Sequence, residues 1–115
     1  MNDRMTTISE LKKIVEDFVS ERDWSQFHNP KNLSMALAIE ASELMDIFKW
    51  NTTQECEGLM SENNTRQDAT DELADIMIYA LAFSIRNNIN ISSAIEKKMI
   101  KNRKKYPTEK FKGHF

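Results

Sequence analysis

Apolar positions recur at helical spacing along nearly the whole chain. Ile8, Leu11, Val15 and Phe18 form one stripe, and "TISE" at 7–10 supplies a capping box in which Thr7 caps and Glu10 reaches back. These predict a first helix over about 9–21. The polar stretch "RDWSQFHNPKN" follows, and its Asn29-Pro30 pair signals a turn and then a helix start. A second helix is expected over about 33–50, a short one over 54–60 and, after the polar "SENNT", a long one over 66–87. The centre of that long helix, "LADIMIYALAFSI", is apolar on nearly every side, as in a helix buried among others. Phe18 and Phe83 read as core. "NNIN" at 87–90 predicts a loop. Ser93 and Glu96 offer a second capping box for a last helix that ends near Lys105, ahead of Pro107. The tail over 108–115 reads as irregular.

The expected fold class is therefore all-α: a four-helix bundle core with one extra short helix, in a single domain over 1–115. Composition agrees, with only two Gly and two Pro, 40% hydrophobic and 30% charged residues among 115. A domain of this size exposes much surface for its volume, which association into an oligomer would relieve. Cys56 is the single cysteine, so neither an intramolecular disulfide nor a cysteine-built zinc site is expected. The first residues lack the apolar run of a signal peptide, and no stretch approaches the roughly 18 apolar residues of a membrane span. A cytoplasmic location without membrane association is expected.

The apolar face of the second helix carries an anomaly. At about 100° per residue, Leu33, Ala36, Glu40, Glu43, Leu44 and Ile47 share one side. Burying an unpaired carboxylate is costly, so two acids there call for a cation or a proton. The long helix repeats the pattern in "DELADIMIY": Glu72 and Asp75 are three apart, with Tyr79 one turn further along the same face. One acid-x-x-acid pair on a helix is commonly just a solvated face. Two pairs, each on an apolar face, can converge if the helices pack side by side. The histidines, His28 and His114, lie outside the helices, so the ligands would be oxygens alone, which suits Mg²⁺ or Mn²⁺.

Charge is unevenly spread. Residues 96–112 hold eight Lys/Arg against two Asp/Glu, whereas the rest holds eight against sixteen. Magnesium held by a few carboxylates commonly completes its shell with substrate phosphate, which gives the basic segment a role. Lys98, Asn102 and Tyr106 form a stripe at i, i+4 and i+8, and Lys98 and Arg103 are the preferred phosphate partners. Trp24, and Trp50 beyond Glu43 and Ile47, offer faces on which a base could stack, and His28 a group that could hydrogen-bond it. A nucleic-acid partner is disfavoured, because the acidic body would repel duplex phosphate.

"ERDWSQFHNPKNLSMALAIEASELMDIFKW", then "DELADIMIYALA", then "KMIKNRKKYP" resemble the MazG-like all-α nucleoside triphosphate pyrophosphohydrolases, nearest to the dCTP pyrophosphatase branch. The likeness covers about residues 8–107. It implies a helical bundle with Mg²⁺ at Glu40, Glu43, Glu72 and Asp75. It also implies cleavage of a nucleoside triphosphate between the α- and β-phosphates. By position, Trp24 and Trp50 would face the base, and Lys98, Asn102, Arg103 and Tyr106 would serve phosphate and sugar. The family is dimeric or tetrameric, with sites built by more than one subunit. One departure is Ile39, where many members carry a further glutamate. Rival readings are a phosphoribosyl-ATP or dUTP pyrophosphohydrolase relative, and a non-catalytic helical module that binds nucleotide or protein.

Overall fold

A computed structural model describes residues 1–114. Among them the order is α1 (Ile8–Glu21), a 3-10 turn (Ser25–Phe27), α2 (Pro30–Phe48), α3 (Thr53–Leu59), α4 (Asn63–Arg86), α5 (Ile91–Lys105) and α6 (Thr108–Phe111). The all-helical class expected from the periodicity is what the structure has.

Local chemistry sets most helix starts. At α1 the Thr7 N–H donates to Glu10 Oε2 (2.7 Å), and the Glu10 N–H donates to Thr7 Oγ1 (3.1 Å), which completes the capping box. Asn29 caps α2 by accepting from the Asn32 N–H (2.8 Å), and Pro30 occupies the first helical turn, where its missing N–H costs nothing. The second expected capping box does not form. Asn90 caps α5 instead, accepting from the Ser93 N–H (3.0 Å), so the helix begins ahead of Ser93. Likewise α4 starts at Asn63, inside the polar stretch expected to be loop, with Glu62 at its cap position. Thr108–Phe111, expected to be irregular, forms a short helix; the irregular-tail expectation for residue 115 lies outside the described residues.

Two helices end on left-handed residues that are not glycine. Asp23 and Asn88 both have φ of 52°. Each sits just past its helix while the next N–H reaches back over the last turn, Trp24 to Val19 O (3.0 Å) and Ile89 to Ser84 O (2.8 Å). This is the Schellman closure, and Asp and Asn are the non-glycine side chains that best tolerate its left-handed position.

The packed pairs are α2 with α4 and α1 with α4. Their meeting point is a small core of Val15, Leu33, Leu81 and Ala82, flanked by Leu11, Val19 and Phe83. Leu33 opens α2, whereas Leu81 and Ala82 lie late in α4, so the two helices run antiparallel. Moving along α2 from this core therefore means moving back along α4, towards its acidic residues.

Much apolar surface stays uncovered in one chain. Ile39 and Met45 on α2, Leu73 and Met77 on α4, and Ile95 and Ile100 on α5 are all exposed. The centre of α4 was expected to be buried on all sides, but a single chain covers only part of it. Phe83 joins the core as expected; Phe18 does not, being 48% exposed. The radius of gyration is 17.2 Å, against about 13 Å for a compact chain of this length.

Candidate active site

Beyond the small core, the antiparallel seam between α2 and α4 turns acidic. Glu40, Glu43 and Glu72 each present a carboxylate oxygen, and these oxygens all lie within 4.8 Å of one another. Glu40 and Glu72 are half-buried, and Glu43 is at the rim. Asp75 is half-buried one turn further along α4. It lies outside the triad, yet its charge bears on both Glu40 and Glu72.

Like charges this close hold on to protons. Burial, then the neighbouring Glu43 carboxylate, push Glu40 up to about 7 from an ordinary 4.5. Burial and Glu43 raise Glu72 as well. Glu72 Oε2 is buried without a hydrogen-bond partner. An orphaned, buried carboxylate oxygen amid other carboxylates is the donor a hard cation completes. The acidic cluster could therefore hold a metal ion. The residues present fit an oxygen-ligated divalent cation, with no histidine or cysteine in the set.

Beside the acids, between α1 and α4, lies a cavity of about 370 Å³. Trp24, His28, Asp75 and Tyr79 line it, together with Phe18 and Ile78. Its walls are mostly apolar with a few polar groups, and its volume is within the range of small-ligand sites. Trp24, His28 and Tyr79, three of the residues singled out in the sequence, thus share one cavity that Asp75 links to the acid cluster. Phe18 and Ile78 were missed. The signal for Phe18 was its position on the same stripe as Val15, which read as core because the reversal at Asp23 cannot be seen in a periodicity.

The remaining candidates lie elsewhere. Trp50, just past α2, is 87% exposed, with Lys49 Nζ 5.3 Å from its ring centroid. Lys98, Arg103 and Tyr106 are exposed, and Asn102 is half-buried with its amide directed at Met99 Sδ (3.8 Å). Neither the acid triad nor the adjoining cavity includes a residue of α5. One chain alone does not unite the basic stripe with the acids.

Residues 35–114 match the MazG-like family. The chain belongs to the MazG-like family. Among curated relatives it is 34% identical to dCTP pyrophosphatase 1 of Rattus norvegicus over 93% of its length, and 36% identical to that of Homo sapiens over 88%. It spans 63% of the rat protein and 59% of the human one. Its structure superposes on a crystal structure of a pyrophosphatase from Archaeoglobus fulgidus with a TM-score of 0.83 at 32% identity. That match covers 93% of this chain and 98% of the archaeal one. The all-α MazG-like architecture is thereby established, and every candidate acid falls inside the matched span. Among the described residues, no helix is long and apolar enough to cross a membrane.

Proposed function

We propose that residues 1–115 form a single catalytic domain of a Mg²⁺-dependent nucleoside triphosphate pyrophosphohydrolase. It converts a deoxynucleoside triphosphate, dCTP or a related or modified nucleotide, into the monophosphate and pyrophosphate. The observation that carries this reading is the carboxylate triad across the α2–α4 seam with its orphaned Glu72 oxygen. Membership of the MazG-like family and similarity to proteins named dCTP pyrophosphatase 1 support the reaction class and the base.

Glu40, Glu43 and Glu72, with Asp75 at the edge, would hold the cation, Mg²⁺ or Mn²⁺ in its place. Bound there, it would neutralise phosphate charge and make a water more acidic. The protein's own groups do the rest. One carboxylate of the acidic group, in place of binding the cation directly, takes the proton of the attacking water. Water oxygen bonds to the α-phosphorus, the bond from that phosphorus to the bridging oxygen breaks, and pyrophosphate departs in line. Trp24 and Tyr79 flank the base, His28 supplies a hydrogen-bonding group, and the cavity excludes water from it. Lys98 and Arg103 bear on the departing phosphates, and Asn102 and Tyr106 on sugar and phosphate.

Those α5 groups and Trp50 reach the site from a second copy of the chain. The accessible surface is 9457 Å², whereas a monomer of 13.4 kDa is expected to expose about 6,500 Å². Excess surface rich in Ile, Leu and Met is what an obligate homo-oligomer, dimer or tetramer, covers.

The test is a panel of canonical and modified dNTPs and NTPs with MgCl₂ or MnCl₂, scored for pyrophosphate and monophosphate. Release from dCTP or a modified relative is expected. Thermal stabilisation by nucleotide and metal without any release would instead mark a non-catalytic binding module.

A further inference from the structure

The chain reversal after α1 builds one wall of the cavity. Asp23, in the left-handed region, closes α1 through its own N–H to Ser20 O (3.1 Å) and the Trp24 N–H to Val19 O (3.0 Å). The reversal brings Arg22 and Trp24, on either side of Asp23, back onto Phe18. Arg22 Cζ lies 3.7 Å from the Phe18 ring centroid, over its face. Trp24 meets the same ring edge-on, with centroids 5.7 Å apart and planes at 75°. Arg22 is itself tied down, because Nη1 donates to Phe18 O (3.0 Å) and lies 3.4 Å from Glu21 Oε2.

Phe18 is thus outside the core cluster, yet both its neighbours grip its ring. Trp24 is 45% exposed and follows the turn directly, ahead of the Ser25–Phe27 helix. Edge-to-face geometry between rings is directional, so a ring fixed by Arg22 transmits orientation to Trp24. Across the cavity stand Ile78 and Tyr79. The indole shares the lining of the cavity with these two side chains.

We propose that Phe18 is a positioning residue that acts through Trp24 to set the base discrimination of the nucleotide cavity. The identity of the ligand rests on the pyrophosphohydrolase reading; the mechanical coupling of Phe18 to Trp24 does not. Leucine at this position keeps apolar bulk but loses both ring contacts, whereas tyrosine keeps the ring.

The experiment compares wild type, Phe18→Leu, Phe18→Tyr and the core control Phe83→Leu. For Phe18→Leu, KM for the preferred dNTP should rise about five- to tenfold, the size of a lost aromatic pair. Its kcat should stay within about twofold, and pyrimidine-over-purine preference should flatten. Phe18→Tyr should restore both, and Phe83→Leu should lower thermal stability without altering preference. In parallel, Trp24 emission is read in a Trp50→Phe background without nucleotide, where Phe18→Leu should change the emission maximum and raise acrylamide quenching. Unchanged KM and preference in an active Phe18→Leu enzyme overturn the proposal. Unchanged Trp24 emission overturns it whether or not the wild type cleaves any nucleotide. A wild type without activity, paired with altered Trp24 emission in Phe18→Leu, refutes the assigned reaction and supports the coupling.

Discussion

Glu40 on α2 and Glu72 on α4 face each other across an antiparallel seam, with carboxylate oxygens within 4.8 Å and one Glu72 oxygen buried without a partner. Two acids held this way store repulsion that a divalent cation or a proton relieves. Most of the experimental consequences of the structure follow from that pair.

Neutralising single acids separates chemistry from fold. Glu43→Gln, Glu72→Gln and Asp75→Asn are each expected to lower turnover by at least about 100-fold, with helical circular dichroism retained. Without metal, Glu72→Gln should be at least as thermally stable as wild type, because it removes a charge from a like-charged cluster. Near-normal pyrophosphate release from all three would remove the acids from the mechanism.

Stability without metal should depend on pH with a definite sign. Glu40 titrates at about 7 in the folded chain against 4.5 for the ordinary group, so between these values the folded state holds a proton that the unfolded state has released. Stability therefore falls as pH rises through that window. Glu72, also raised, contributes in the same direction. In EDTA, Tm should drop from about pH 5 to about pH 7.5. Glu40→Gln should flatten the slope, and MgCl₂ should raise Tm most at the alkaline end. A Tm in EDTA that is level or climbs across this range contradicts the assignment.

Completion of the site by a second copy can be read by complementation. Glu72→Gln and Lys98→Ala should each be nearly inactive or weakly binding alone. When the two are unfolded and refolded together, mixed oligomers should recover turnover, because one intact acid cluster then meets one intact α5. Recovery no greater than the sum of the separate proteins would place Lys98 in its own chain's site or outside any site.

Association itself should be visible by light scattering as a multiple of the 13.4 kDa chain mass. A charge on an exposed apolar position, Ile95→Glu or Ile100→Glu, should shift the mass towards monomer and lower Tm. A native protein that stays monomeric at tens of micromolar would refute the shared-site reading.

The left-handed closure after α4 offers a stability test far from the acids. Asn88→Gly should be neutral or stabilising by up to about 1 kcal/mol, and Asn88→Val should cost about 1–2 kcal/mol, since a branched side chain resists φ of 52°. Thermal unfolding of both variants is the measurement.

Features decided by neighbours in the chain were legible in advance. The Thr7–Glu10 box and the Asn29-Pro30 start depend on side chains reaching backbone groups within three residues, and both formed. The Ser93–Glu96 box failed for the same kind of reason, because Asn90 competes for the same N–H groups and takes the Ser93 N–H first. Phe18 read as core because helical spacing says which stripe a residue occupies, and not what the chain does one turn later.

The amino-acid pattern alone determined α1 to α5, though not α6, together with the two acid pairs and their place on otherwise apolar faces, since period and spacing are local properties of the backbone. Tertiary structure alone decided that Glu40, Glu43 and Glu72 meet while Asp75 stands at the edge. It also decided that Trp24, His28 and Tyr79 share a cavity, and that α5 with its basic stripe stays apart. The physical reason is that convergence depends on the direction and offset with which two helices pack. That register is set by how Leu33, Leu81 and Ala82 fit around Val15, a contact between distant residues that no window of sequence contains.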